Sequence, residues 1–193
     1  MYGAQDIIVG REFEQPVRPP VLADDGPFYQ QVLLCQLGLP RKRVKGPLFE
    51  RRSGSASLMV QGGPWHSGKD WELQPVPYGI IPRLVLMHVC REAVRTRSPI
   101  VDVRESPRAF ARELGLSEGG AAMERFRRQT IALWCCRMNL GFVVAEGHGQ
   151  VKVEPFEAFR VRDPERRGLW PREIVLEQKL FEGLLDNGVP LDA

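Results

Sequence analysis

The sequence predicts an α+β fold built on a winged helix-turn-helix with an N-terminal helical and hairpin extension, and three observations predict it. One is a long apolar helical pattern that begins near Pro82 and stops at Ser98-Pro99. The next is a pair of helical patterns separated by a Gly-containing turn over 116–120, the second of which carries Arg125, Arg127 and Arg128. The last is a strand-turn-strand pattern directly behind them. A helix, a short strand, two helices across a tight turn and then a hairpin is the element order of a winged helix-turn-helix. Two helices across a turn are a weak signal alone, since generic helical hairpins share them, and the following hairpin strengthens it.

Composition bounds the answer. With 193 residues, 43% of them hydrophobic, the chain suffices for one large or two small packed domains. Charged residues make up 26%, and no apolar run approaches the ~18 to 20 residues that span a bilayer, so no membrane helix is expected. The opening MYGAQDIIVGREFEQ carries acids where an export signal would be basic and then apolar, which predicts a cytoplasmic protein. Cys35, Cys90, Cys135 and Cys136 sit in apolar helical patterns without paired metal-ligand spacing, so buried thiols and no metal are expected. A net charge of +3 is only mildly basic, and the distribution of charge matters more than its sum.

Taken in order, residues 1–27 form an extended arm, because Pro16, Pro19, Pro20 and Pro27 fix φ and remove donors, although Ile7, Ile8 and Val9 suit a short strand. Asp24-Asp25-Gly26-Pro27 reads as a helix start, followed by the amphipathic pattern Phe28, Val32, Cys35 over 28–39. A basic run, Arg41-Lys42-Arg43-Val44-Lys45, precedes a hairpin with Phe49, Leu58 and Val60 available for a core. Residues 62–75 read as a flexible connector that Trp65 and Trp71 pin to the domain. Leu84 to Cys90 are apolar nearly all round, which predicts a central core helix emerging at Arg91 to Arg97. Ile100, Val101 and Val103 suit a strand. Ser106-Pro107 opens a short helix ended by Gly115, and a longer helix from Ala121 buries Met123, Phe126, Thr130, Leu133 and Trp134. The strands over 140–145 and 151–153, continuing through Phe159 to Val161, make the expected wing, with Lys152 on it. A polar turn over 163–168, a strand at Ile174 to Leu176 and a helix from Gln178 to Leu185 complete the pattern.

The runs PYGIIPRL on Pro77 to Leu84, EAVRT on Glu92 to Thr96, the Phe-x-Arg-x-Leu-Gly helix on Phe110 to Gly115 and the Arg-x-x-x-Gln on Arg125 to Gln129 resemble the plasmid-encoded Rep replication initiator family of bacteria. The resemblance covers about residues 28–192. It implies tandem winged-helix domains that bind repeated sites in a plasmid origin, the first commonly dimerising and touching DNA backbone, the second reading bases. In the family a Val-Pro-Leu-Asp element continues into the second winged helix. Here only Ala193 follows Asp192, so residues 28–193 are expected to be the first domain, lacking the second.

The implied partners are double-stranded origin DNA, a second copy of the chain and host replication proteins. Phosphate contacts come mainly from Arg, Lys and helix N-termini, which position a protein without reading sequence. The candidates are Arg125, Arg127 and Arg128 on the second helix, Arg41, Lys42, Arg43 and Lys45 in the basic run, and Lys152 in the wing. A basic run of this size is as often a solvated face. An alternative class is an interaction module that dimerises and leaves DNA to another domain. Catalysis is not expected. His66, His88 and His148 are scattered, His88 reads as a structural core histidine, and no phosphate loop, nucleophile elbow or cofactor motif occurs.

Overall fold

The computed structural model describes residues 38–67, 69–144, 147–160 and 170–186. The arm over 1–27, the helix over 28–39 except its last two residues, the turn over 163–168 and the Val189 to Asp192 segment lie outside them. The described chain is an α+β fold. Its elements in order are β1 (Leu48–Ser53), β2 (Ala56–Gln61), β3 (Pro64–His66), β4 (Trp71–Leu73), α1 (Ile80–Thr96), β5 (Ile100–Asp102), α2 (Pro107–Glu113), α3 (Gly120–Cys135), β6 (Arg137–Val144), β7 (Gly147–Val153), β8 (Phe156–Arg160), β9 (Glu173–Leu176) and α4 (Gln178–Asp186).

Two antiparallel sheets frame the core. In the larger, ordered β1-β2-β6-β7, Leu58 faces Leu140 and Val60 faces Met138 across the ladder. Side chains alternate across a strand, so Leu58, Val60, Met138, Leu140 and Val153 are buried on the inner face. Ser57, Gln61, Arg137, Asn139 and Lys152 take the outer one. The smaller sheet is ordered β5-β9-β8, and its central strand β9 is buried at all four positions. Between the sheets and α1 to α3 lies an aromatic core. Trp134 and Trp170 rings stand 4.9 Å apart, Phe110 and Phe126 5.9 Å, and Trp170 Nε1 donates to the Val103 carbonyl at 3.2 Å.

Three expectations need correction. The hairpin behind α3 exists as β6–β7, but it joins the N-terminal β1–β2 hairpin, because its apolar alternation continues that of β2. The partner of β5 is β9, which brings β8 with it, so Lys152 does not belong to the hairpin that returns on β5. Residues 62–75 hold a two-stranded ribbon, β3–β4, where a connector was expected. Trp65 pins it as expected, buried against Phe159 at 5.4 Å, whereas Trp71 is 72% exposed. Finally, α1 is central but not buried all round. Val85, His88, Val89 and Ala93 face inward, while Ile80, Met87 and Val94 recur at one-turn multiples along an exposed stripe.

Candidate nucleic-acid interface

The α2–turn–α3 pair is held by local chemistry. Ser106 caps α2 by accepting from Ala109 N at 3.2 Å, and Pro107 occupies the first helical position, where a missing N–H costs nothing. Phe110 and Ala111 are fully buried. Gly115, at φ +69, makes the left-handed step that ends the helix. Ion pairs then brace the turn. Arg112 forks onto Glu118 at 2.7 and 2.8 Å, and Arg104 forks onto Glu113 at 2.6 and 2.7 Å. These exposed pairs contribute little energy and mainly restrict geometry.

α3 starts at Gly120 behind Gly119, and no side chain caps its first N–H groups. Phe126, Gln129, Thr130, Leu133 and Trp134 form its buried face. Gln129 was not anticipated as a core residue. Its Oε1 accepts from Tyr78 N at 2.7 Å, so the Arg-x-x-x-Gln and Pro-Tyr-Gly runs meet in space and tie α3 to the head of α1.

Arg125, Arg127 and Arg128 are all exposed, and none is ion-paired among the described residues. They do not share one face. At about 100° per residue, Arg125 and Arg128 lie about 60° apart, Arg127 falls on the opposite flank, and Glu124 projects between Arg127 and Arg128. The helix therefore shows a cationic ridge with a second cation across its outer face.

Arg41, Lys42, Arg43 and Lys45 are exposed in the turn before β1. This turn is attached to α1, because Gly79 N donates to the Pro40 carbonyl at 2.9 Å and Arg83 Nη2 donates to the Leu39 carbonyl at 2.5 Å. Burial first, and then the charges of Arg41 and Arg51, lower the Arg83 pKa. Arg51 and Arg83 were not among the candidates. Lys152 lies on the outer face of the large sheet opposite Asn139.

A polar cavity of about 350 Å³ opens behind α2, lined among others by His88, Glu92, Arg95, Asp102, Arg104 and Glu113. Its charges are matched, Arg95 to Glu92 at 2.6 Å and Arg104 to Glu113. His88 is 7% exposed, lies edge-on to Phe110, and holds Nε2 3.9 Å from Glu113, beyond hydrogen-bond reach. Burial lowers its pKa, although Glu113 and Glu92 oppose this. Burial raises the Cys135 thiol to about 12 and the Cys136 thiol higher, which keeps both protonated and poor nucleophiles. Among the described residues no three His, Cys, Asp or Glu side chains could hold a metal ion, and no helix is long and apolar enough to cross a membrane.

No family model and no curated protein matches the sequence. Among solved structures, the chain is similar to a selenomethionine form of domains 2 and 3 of RctB, at 16% identity and a TM-score of 0.47, over 78% of this chain and 56% of that one. It is similar to a second structure of RctB domains 2–3 at 15% identity and a TM-score of 0.49, over 80% of this chain and 59% of that one. The chain thus spans less than two thirds of the length of either.

Proposed function

We propose that this chain is a DNA-binding domain of a plasmid replication initiator, which holds duplex origin DNA mainly through its phosphate backbone. The observation that carries the reading is α3, whose exposed side presents Arg125, Arg127 and Arg128 without ion-pair partners among the described residues. Its open first-turn N–H groups add donors of the kind that meet phosphates at helix N-termini. The order α1, β5, α2, α3 and, after the inserted β6–β7 hairpin, β8, β9, with sheet order β5-β9-β8, supports a winged helix whose wing hairpin is β8–β9. The resemblance of residues 77–129 to Rep initiators supplies the origin, the repeated sites and the host replication machinery as context.

In this reading α2 lies across the backbone and α3 enters the major groove, its arginines on both flanks reaching phosphates on either side. Such contacts set register but discriminate sequence little. The test is fluorescence anisotropy with the plasmid origin and a random duplex, for the wild type and for Arg125→Glu/Arg128→Glu. A loss on the order of tenfold or more on both duplexes, with an unchanged melting temperature, is the expected result. Undiminished affinity in the double variant removes α3 from the interface.

A second reading, dimerisation as the main task, is favoured by two exposed apolar surfaces. One is the Ile80, Met87, Val94 stripe of α1, and the other is the Trp71 and Leu73 face of the ribbon, each of the two more than 70% exposed. A light-scattering mass at micromolar protein tests it, and a strict monomer rules it out.

A further inference from the structure

His88 is the buried polar side chain of α1, and neither of its ring nitrogens makes a hydrogen bond among the described residues. Its side chain is 6% exposed. Phe110 covers it edge-on, and what remains of it lines the cavity of about 350 Å³ between α1, β5 and α2. A buried imidazole without partners is costly, so the cavity is where its partner is to be sought.

The lining commits its cations and leaves acceptors over. Arg95 places Nε and Nη2 on Glu92 Oε2 at 3.0 and 2.6 Å, and Arg104 forks onto Glu113. Glu92 Oε1 has only Arg91 at 3.8 Å and Asp102 Oδ2 only Arg172 at 3.6 Å, both beyond hydrogen-bond reach. Arg172 itself bonds Glu105. Burial lowers the His88 pKa, so the ring is neutral at neutral pH and one of its nitrogens is a further acceptor. The 3.9 Å from His88 Nε2 to Glu113 Oε1 is too long for a direct bond, yet it admits a single donor atom at about 2.9 Å from each. Water makes such bonds but does not answer the charge, since the lining sets three carboxylates, Glu92, Asp102 and Glu113, against two guanidinium groups. No metal-ligand set exists among the described residues, which leaves a cation that carries its own N–H donors. Ile100 and Val101, also in the lining, offer apolar surface to a carbon chain, and the volume falls within the roughly 300–1,000 Å³ of small-molecule sites.

We propose that this cavity is a binding site for a primary ammonium group, whose N–H donors bridge His88 and Glu113 beside the carboxylates of Glu92 and Asp102. The site stands apart from the DNA-binding reading, and neither depends on the other.

The test titrates n-butylammonium into the wild-type chain at neutral pH and follows the imidazole nitrogens of His88 by NMR. The controls are 1-butanol, which lacks the charge, and tetramethylammonium, which lacks the N–H donors. A saturable shift of the His88 signals with n-butylammonium alone is expected, at a Kd on the order of millimolar for so small a ligand. His66 and His148, outside the cavity, should not move. Asp102→Asn keeps an acceptor for the Arg104 N–H while removing the charge, and should weaken binding roughly fivefold with an unchanged melting temperature. Nα-acetyl-lysine methylamide separates the two sources of the group. Tighter binding than n-butylammonium assigns the site to the lysine of a protein, and equal or weaker binding assigns it to a free amine; both uphold an ammonium site. Absence of a saturable His88 shift overturns the proposal, as does an equal shift with either control. Unchanged affinity in Asp102→Asn overturns it too, because the excess carboxylate then plays no part.

Discussion

Individual residues reveal where the fold tolerates no change. A Cβ on Gly63 would overlap the Cys135 carbonyl at the end of α3, so backbone would have to shift to admit it. Gly63→Ala is therefore expected to destabilise the chain by about 1–3 kcal/mol, read as a lower urea midpoint. Ser106→Ala removes only the cap of α2 and should cost about 1 kcal/mol by the same measurement. His88 makes a pH-dependent prediction. Its folded pKa is lowered from 6.5 chiefly by burial, against Glu113 and Glu92 and together with Arg91 and Arg104. Stability is then complete above pH 6.5 and falls as the pH drops from there toward the folded value, because the unfolded chain takes up the proton first. His88→Gln should flatten this segment of the stability curve. Glu92, held low mainly by its hydrogen bond to Arg95, loses its contribution only below 4.5. A stability curve that falls equally in His88→Gln would assign the loss to other groups.

At the scale of elements, local signals and long-range pairing part company. The Ser106-Pro107 start and the Gly115 stop of α2 were legible because their chemistry is complete within a few residues. The β1–β2 and β6–β7 hairpins were legible for the same reason. Which hairpin would sit beside β5 was not, since β5 and β9 are about seventy residues apart and short apolar strands carry no address. For α1, the run of apolar residues concealed that Ile80, Met87 and Val94 remain outside, a distinction that depends on how many neighbours the helix acquires. If that stripe is a contact between copies, Met87→Glu should lower the light-scattering mass toward a monomer while leaving the melting temperature near the wild-type value. An oligomer that survives the substitution assigns the interface to another surface.

Among the described residues, the candidate cations lie apart from one another: on the outer side of α3, in the turn before β1, and, as Lys152 beside Arg137, on the outer face of the large sheet. The α3 arginines carry the proposed duplex contact, so Lys152→Glu should leave the salt slope of DNA binding unchanged, whereas the α3 variants flatten it. An equal loss in Lys152→Glu would extend the interface around the sheet edge. The mild net charge of +3 hid this division, because a sum does not report where charges lie.

The sequence by itself determined the features that close within a turn or two of chain: helix caps, glycine stops, the alternation of strands, the exposed arginines of α3 and a mixed helix and sheet composition. The tertiary structure alone decided the sheet partners, the binding of Gln129 to Tyr78 across 51 positions, and the ribbon over 64–73. The physical reason is the range of the interactions. Backbone hydrogen bonding and capping respond to neighbours in sequence, whereas pairing, burial and charge crowding respond to neighbours in space, which exist only once the chain has closed upon itself.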